Sequence, residues 1–538
     1  MNYGMGVHAV SRGKLKMQTA SRLVLATAIM ALAAASMAQY PKKGIQFKSF
    51  IPLNQMPNNP SSGAGCTGFV SPNGREYAVV GVRNGTLIVD VTNPQSPQIL
   101  TSIPGVSSLW HENVVNDGYG YFVTDSDGNG MQIVDLRQAD GGTANLVSTY
   151  TGNGLSTVHT IQVNPASKTL YLNGSNRGLV FLDISNPTAP VEVGRWNGRY
   201  VHDSLAVTYP EGTPYAGKEI VFAQCGRNDL TILDVTDKSN PVVKGTNQYL
   251  PDGTYCHSAS LTPDFKYLLV NDEFDEGDGM VADCSTHIFD VQNLSNPVYL
   301  GKFTNDINSI DHNSRLKDGF LILAAYRAGI RVYNAVNPLQ MSEVGYFDTY
   351  NGSGYSYSGA WGTYVFPSGN AVISDMSNGM FMVDLTEAIG QGAVPLSLTM
   401  ERGVSSGPLT ALRHSDDQSL LTTDSGPQTG LGQIGVVAFE TTNLPANFID
   451  LKFEARSPKG PARAEIQLKN WTNGQWISVG TINLSATEQV STINGISGAN
   501  YVNGTGRIEV RFRTYPTAPI IVPPFRVSWD QMKVTVRQ

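Results

Sequence analysis

Short apolar runs closed by an acidic residue recur along the first two thirds of the chain. They read Leu87-Ile88-Val89-Asp90, Gln132-Ile133-Val134-Asp135, Val180-Phe181-Leu182-Asp183, Thr231-Ile232-Leu233-Asp234, His287-Ile288-Phe289-Asp290, Arg331-Val332-Tyr333-Asn334 and Phe381-Met382-Val383-Asp384. The acid, or Asn in its place, falls at 90, 135, 183, 234, 290, 334 and 384, a mean spacing of 49 residues. Four short strands with their turns fill that length, which is the size of one propeller blade. Aspartate at a strand end can accept neighbouring backbone N–H groups in an Asx-type turn. The Asn-Pro that follows several copies, as at Asn93-Pro94 and Asn186-Pro187, ends pairing because proline has no donor. Seven copies predict seven blades over residues 39–396. The seventh copy lacks the Asn-Pro and an outer strand, whereas a spare strand, Gln46–Ile51, precedes the first. Pairing that strand onto the last blade closes the ring and leaves no open edge.

From about residue 397 the 49-residue pattern gives way to period-two alternation. Residues 451–455, 464–468, 507–512 and 525–529 each present one apolar face, which predicts an antiparallel β-sandwich over 397–538. Residues 408–440, with Ser415-Asp416-Asp417 as a turn, also read as an eighth blade; lacking the Asp-x-x-Asn-Pro signature, they are placed in the sandwich. Composition agrees with an all-β chain. There are 55 Gly and 29 Pro in 538 residues, and only 15% are charged, too little charge and too many turn formers for long amphipathic helices.

The N-terminus changes the compartment. Arg12, Lys14, Lys16 and Arg22 precede an apolar run, Leu23–Ala35, that ends in Ser36-Met37-Ala38. This is the pattern of a secretory signal over residues 1–38, with Gln39 first in the mature chain and Met17 as an alternative start. Cleavage leaves 33 basic against 44 acidic residues, a net charge of −11. An exported protein of that charge, placed extracellularly, on the cell surface or in the periplasm, is a poor partner for nucleic acid. It has no transmembrane span in the mature chain.

Five histidines, His111, His159, His202, His257 and His312, each stand four residues ahead of an apolar strand position. Cys66 and Trp361 occupy the corresponding places in repeats 1 and 7. These segments open the innermost strand of each blade, so the side chains are expected around one mouth of the central channel. The second strands bring Asp125, Asp127, Asp272, Glu273 and Asp375 to the same mouth. Converging imidazoles and carboxylates suit a divalent Zn, Cu or Fe ion, with His202, His257 and His312 as candidate ligands. A structural belt in which each imidazole bonds a neighbouring blade stands beside that reading. Cys66, Cys225, Cys256 and Cys284 are even in number, and Cys225–Cys256 and Cys256–Cys284 are the disulfides expected first; a Cys/His metal cluster is the alternative. Three further motifs have bland and functional readings. Asp125–Gly130 begins like a calcium loop but lacks the twelfth-position Glu, which favours a hairpin turn. Glu273–Asp278 reads as a solvated acidic loop or a hard-cation site, and Trp471 with Trp476 as core aromatics or a sugar platform. No Walker or His-Glu-x-x-His motif occurs.

Ordered strings from Cys66 to Asp384 resemble the choice-of-anchor B family of exported LVIVD-repeat proteins. They include Tyr200-Val201-His202-Asp203, Asn271-Asp272-Glu273, Asp311-His312-Asn313, Tyr326-Arg327-Ala328-Gly329 and Gly359-Ala360-Trp361. They add Asp203, Asp311 and Arg327 to the candidates at the channel mouth. The resemblance implies a common propeller followed by varied surface anchors. This chain ends Lys533–Gln538 without a hydrophobic tail, so the sandwich is expected in the anchor's place. No catalytic assignment comes with the resemblance. Two functions stand: a binding or scaffold protein of the cell exterior, recognising a surface protein, glycan or small ligand, and a metal-dependent oxidoreductase or hydrolase using the histidines.

Overall fold

The computed structural model describes residues 40–537 apart from 129, 212, 228, 250, 408, 413–418, 425–431, 442–443 and 519–523. The signal segment 1–38 and the turn at Ser415-Asp416-Asp417 lie outside the described residues. The chain is mostly β-strand, arranged in several four-stranded antiparallel sheets.

Up to Asp384 the described residues form seven sheets, six of four strands and one of five. The first pairs Gly63–Val70, Glu76–Val82, Gly85–Asp90 and Gln98–Pro104 in chain order, and the next four repeat the plan. The apolar runs of the repeat are the third strands, and they are buried on both faces. Ile88 packs toward the second sheet, with Phe122 and Val134, while Leu87 and Val89 pack toward the seventh, with Val372 and Met380. Tyr171 and Leu170 divide in the same way between the fourth and second sheets. Burial on both faces explains why these strands read as continuous apolar runs. Seven apolar clusters therefore lie between successive sheets, and the last joins the seventh sheet back to the first.

The repeat acids, and the Asn in place of one, share a local bond. Asp90, Asp135, Asp183, Asp234, Asp290, Asn334 and Asp384 all accept, through Oδ1, the backbone N–H two residues on, at 2.7–3.2 Å. This is the Asx turn that the sequence predicts. Gln46–Pro52 pairs antiparallel with Gly379–Asp384. Its Phe50 stacks on Phe381 with centroids 4.3 Å apart. The sequence does not foretell that Lys42–Lys43 also pairs with Tyr346 and Phe347 of the sixth sheet.

The remaining strands pair among themselves. Arg526–Arg537 lies between Phe448–Arg456 on one side and Leu420–Thr423 on the other. The strand Gln391–Arg402 begins ahead of residue 397; its first residues pair with Arg526–Arg537 and its later ones with Gln433–Glu440. Both sets of strands turn their apolar sides onto one core that contains Phe439, Phe453, Phe512 and Trp529. Leu420–Thr423 and Gln433–Glu440 pair here and not as an eighth sheet. Among the described residues no helix is long and apolar enough to cross a membrane.

Candidate functional site

The innermost strands of the seven sheets wall a cavity of about 670 Å³. At one mouth four imidazoles form an arc. Ring centroids of His159 and His202, His202 and His257, and His257 and His312 are each 4.4 Å apart. Trp361 continues the arc, 4.8 Å from His312. Three of these histidines stand just ahead of the strands Thr160–Asn164, Asp203–Thr208 and Asn313–Lys317, and His257 sits in a bulge between Cys256 and Ser258. At those places strand alternation does not dictate side-chain direction, and the rings lean over the mouth.

His111 is the exception and corrects the expectation of five. It lies within its strand, opposite Thr124, so alternation turns it away from the wall that Glu112 faces. Its Nε2 bonds the Val106 carbonyl at 2.9 Å. Trp110 and Glu112 take its place in the cavity lining. Cys66 lines the wall.

Glu273 stands beneath the arc. Its Oε2 is 3.6 Å from His257 Nε2, its Oε1 is 3.7 Å from His312 Nε2, and Oε1 accepts from the Tyr326 hydroxyl at 2.6 Å. His312 Nδ1 donates to the Trp361 carbonyl at 2.7 Å, which leaves the Nε2 lone pair toward Glu273. His202 Nδ1 lies 2.9 Å from the Tyr255 hydroxyl, and among the described residues its buried Nε2 has no partner. One ligand atom each from His202, His257 and Glu273 lies within 4.8 Å of the other two. Burial holds His202 and His257 well below the usual imidazole range, and His312 at about 3, so all three rings are neutral near pH 7. Burial pushes Glu273 and Glu112 up to about 7 and Asp203 up to about 6. Glu112 Oε1 accepts from Trp361 Nε1 at 2.7 Å.

Other expected residues do not face a ligand here. Asp203 lines the cavity, yet its Oδ1 is committed to Thr160, Gln162, Asn173 and the Ser204 amide. Asp272 is buried and saturated by Tyr249, Thr254, Tyr255 and Phe274. Arg327 donates to the Ser353 carbonyl and lies over Tyr350, and Asp311 lies behind the arc. Neither lines the cavity. Asp125 does reach the arc, its Oδ2 3.6 Å from His159 Nδ1; it and Asp127 bond Ser108 and Ser156 separately, in a turn between two strands, in keeping with the hairpin reading. Asp375 caps the amides of Ser377 and Asn378. All four cysteines are buried and none is joined in a disulfide, which departs from the disulfide expectation. Each packs into a different apolar cluster. Lys469 lies over the ring of Trp471 and Arg511 over that of Trp476.

The offset of the histidines was readable in the sequence. The sequence does not single out Glu112 and Tyr255, although each adjoins a residue that it does, and Tyr326 enters only as the first residue of a quoted string.

Fold and site together define an all-β, propeller-like repeat protein with a polar, imidazole-rimmed channel. Residues 73–103, 170–198 and 224–248 match the LVIVD repeat. The chain is similar in fold to U3-55K (10% identity, 62% of this chain and 98% of that one, TM-score 0.42). It is likewise similar to Kuenenia stuttgartiensis hydrazine synthase (12%, 62% and 98%, 0.43) and to the RRP9 WD40 repeats (11%, 63% and 99%, 0.43). No curated protein sequence matches it.

Proposed function

We propose that the chain is an exported binding protein: a seven-bladed propeller closed by its N-terminal strand, carrying a C-terminal β-sandwich, whose channel mouth holds a transition-metal ion. His202, His257 and Glu273 are the ligands, with His312 adjoining. The observation that carries this reading is the buried, unpartnered Nε2 of His202, on a residue that offers one ligand atom within 4.8 Å of one from His257 and one from Glu273. An isolated buried polar atom is costly, and a cation held among these residues relieves it. Two imidazoles and one carboxylate suit zinc and leave a position open toward the cavity for a ligand. The ordered strings shared with choice-of-anchor B proteins and the basic–apolar segment 1–38 support export, and the sandwich supports attachment at the cell exterior.

A metal-dependent hydrolase or oxidoreductase is the second reading. It is favoured by Glu112, a wall carboxyl that burial pushes up to about 7 and so able to exchange protons.

Protein recovered from the exported fraction of its host is expected to begin at Gln39 and to carry about one equivalent of zinc. Retention of Met1, or metal-free protein that takes up none on dialysis against zinc, would contradict the reading.

A further inference from the structure

We infer that Asp275, Glu276 and Asp311 form a second cation site, for a hard ion of the calcium type, behind the imidazole arc. The three come from two places. Asp275 and Glu276 lie in the segment between the second and third strands of the fifth sheet, and Asp311 in the chain entering the sixth. One carboxylate oxygen from each lies within 4.8 Å of the other two, and all three residues are at most 1% exposed.

Each carboxylate is held by one oxygen and leaves the other bare. Asp275 Oδ2 meets His287 Nε2 at 2.9 Å, Glu276 Oε1 accepts the Asp311 amide at 3.3 Å, and Asp311 Oδ2 accepts from Asn271 Nδ2. Among the described residues no donor from outside the cluster meets Asp275 Oδ1, Glu276 Oε2 or Asp311 Oδ1, all buried. Outer hydrogen bonds that orient a carboxylate while freeing one oxygen are the arrangement of metal-ligating acids. Among the described residues no lysine or arginine pairs with any of the three, and His287 is the one basic side chain in contact. Both of its nitrogens are engaged, by Asp275 and by Tyr299. The donor set is therefore oxygen only, which favours calcium over zinc or copper.

Three like charges this close in a dry interior cannot all ionise without a counter-ion. Burial and mutual repulsion accordingly push Glu276 up to about 12 and raise Asp275 and Asp311. The cation displaces protons from the carboxyls, and loop carbonyls or water complete its shell. Bound there, it ties the segment bearing Glu273 to the chain bearing His312, bracing the arc.

The test is thermal unfolding of the full chain after chelation, with calcium, magnesium or zinc chloride added back. Millimolar calcium is expected to raise Tm by about 3–5 °C, more than magnesium does. Asp311→Asn and Glu276→Gln are expected to abolish that rise and, by removing buried repulsion, to melt no lower than the calcium-free wild type. His202→Ala is expected to keep the full calcium response, which separates this site from the zinc reading. Should a variant fail to fold, terbium luminescence on the wild-type chain, quenched by calcium, reports the same site. A wild-type Tm indifferent to calcium, with no terbium signal, would overturn the proposal and leave three carboxyls sharing protons. So would variants that respond like wild type.

Discussion

At the channel wall Glu112 shows how burial sets a residue's charge. It lies where a repeat histidine was expected, and burial raises its carboxyl from 4.5 to about 7. Between those values the folded protein holds more protons than the unfolded chain, so stability falls as pH rises through the window. The cost is absent below about 4.5 and complete above about 7. Glu112→Gln keeps an acceptor for Trp361 Nε1 and removes the ionisation. The variant is expected to gain on wild type as pH rises from about 5 to about 8, by on the order of 2 kcal/mol, read from denaturant unfolding at each pH. An equal difference at both ends would contradict an ionising Glu112. The imidazoles act in the opposite sense. His312, held at about 3, is neutral in the fold, so its contribution is lost as pH falls below the usual imidazole value toward 3.

The strands show what a linear pattern can convey and where it stops. A repeat acid is legible because its bond is local: each reaches the backbone two residues on, whatever the rest of the chain does. The apolar runs are legible because both faces are buried in every copy. Whether His111 or Glu112 faces the channel was not legible, since it turns on where each strand starts, and one residue reverses the side-chain direction. The bare oxygens of Asp275, Glu276 and Asp311 were hidden too, because their arrangement joins residues on two sheets. The N-terminal strand was legible as an unmatched strand. It contributes a full edge of pairing to Gly379–Asp384 and the stacking of Phe50 on Phe381. Removal of residues 40–52 is expected to lower the Tm of the first unfolding transition by at least about 5 °C, measured by calorimetry. An unchanged transition would show that the edge adds nothing to closure.

Over the whole molecule, seven apolar clusters hold the sheets in a cycle, and the polar groups are pushed to the channel and its mouth. Rigid walls bring together side chains that stand about fifty residues apart in sequence, which is why spacing within any short segment gave no metal signature. Four rings at 4.4 Å intervals could form a belt that merely satisfies backbone groups. His312 does so through Nδ1, but the unpartnered Nε2 of His202 does not. Calorimetric titration of zinc into chelator-treated protein separates the two accounts. A metal-holding mouth predicts about one equivalent bound by wild type and a loss of at least about 100-fold in affinity for His202→Ala/His257→Ala, with the fold retained. A wild-type chain that binds no zinc, or a double variant that binds it as tightly, would contradict the central claim.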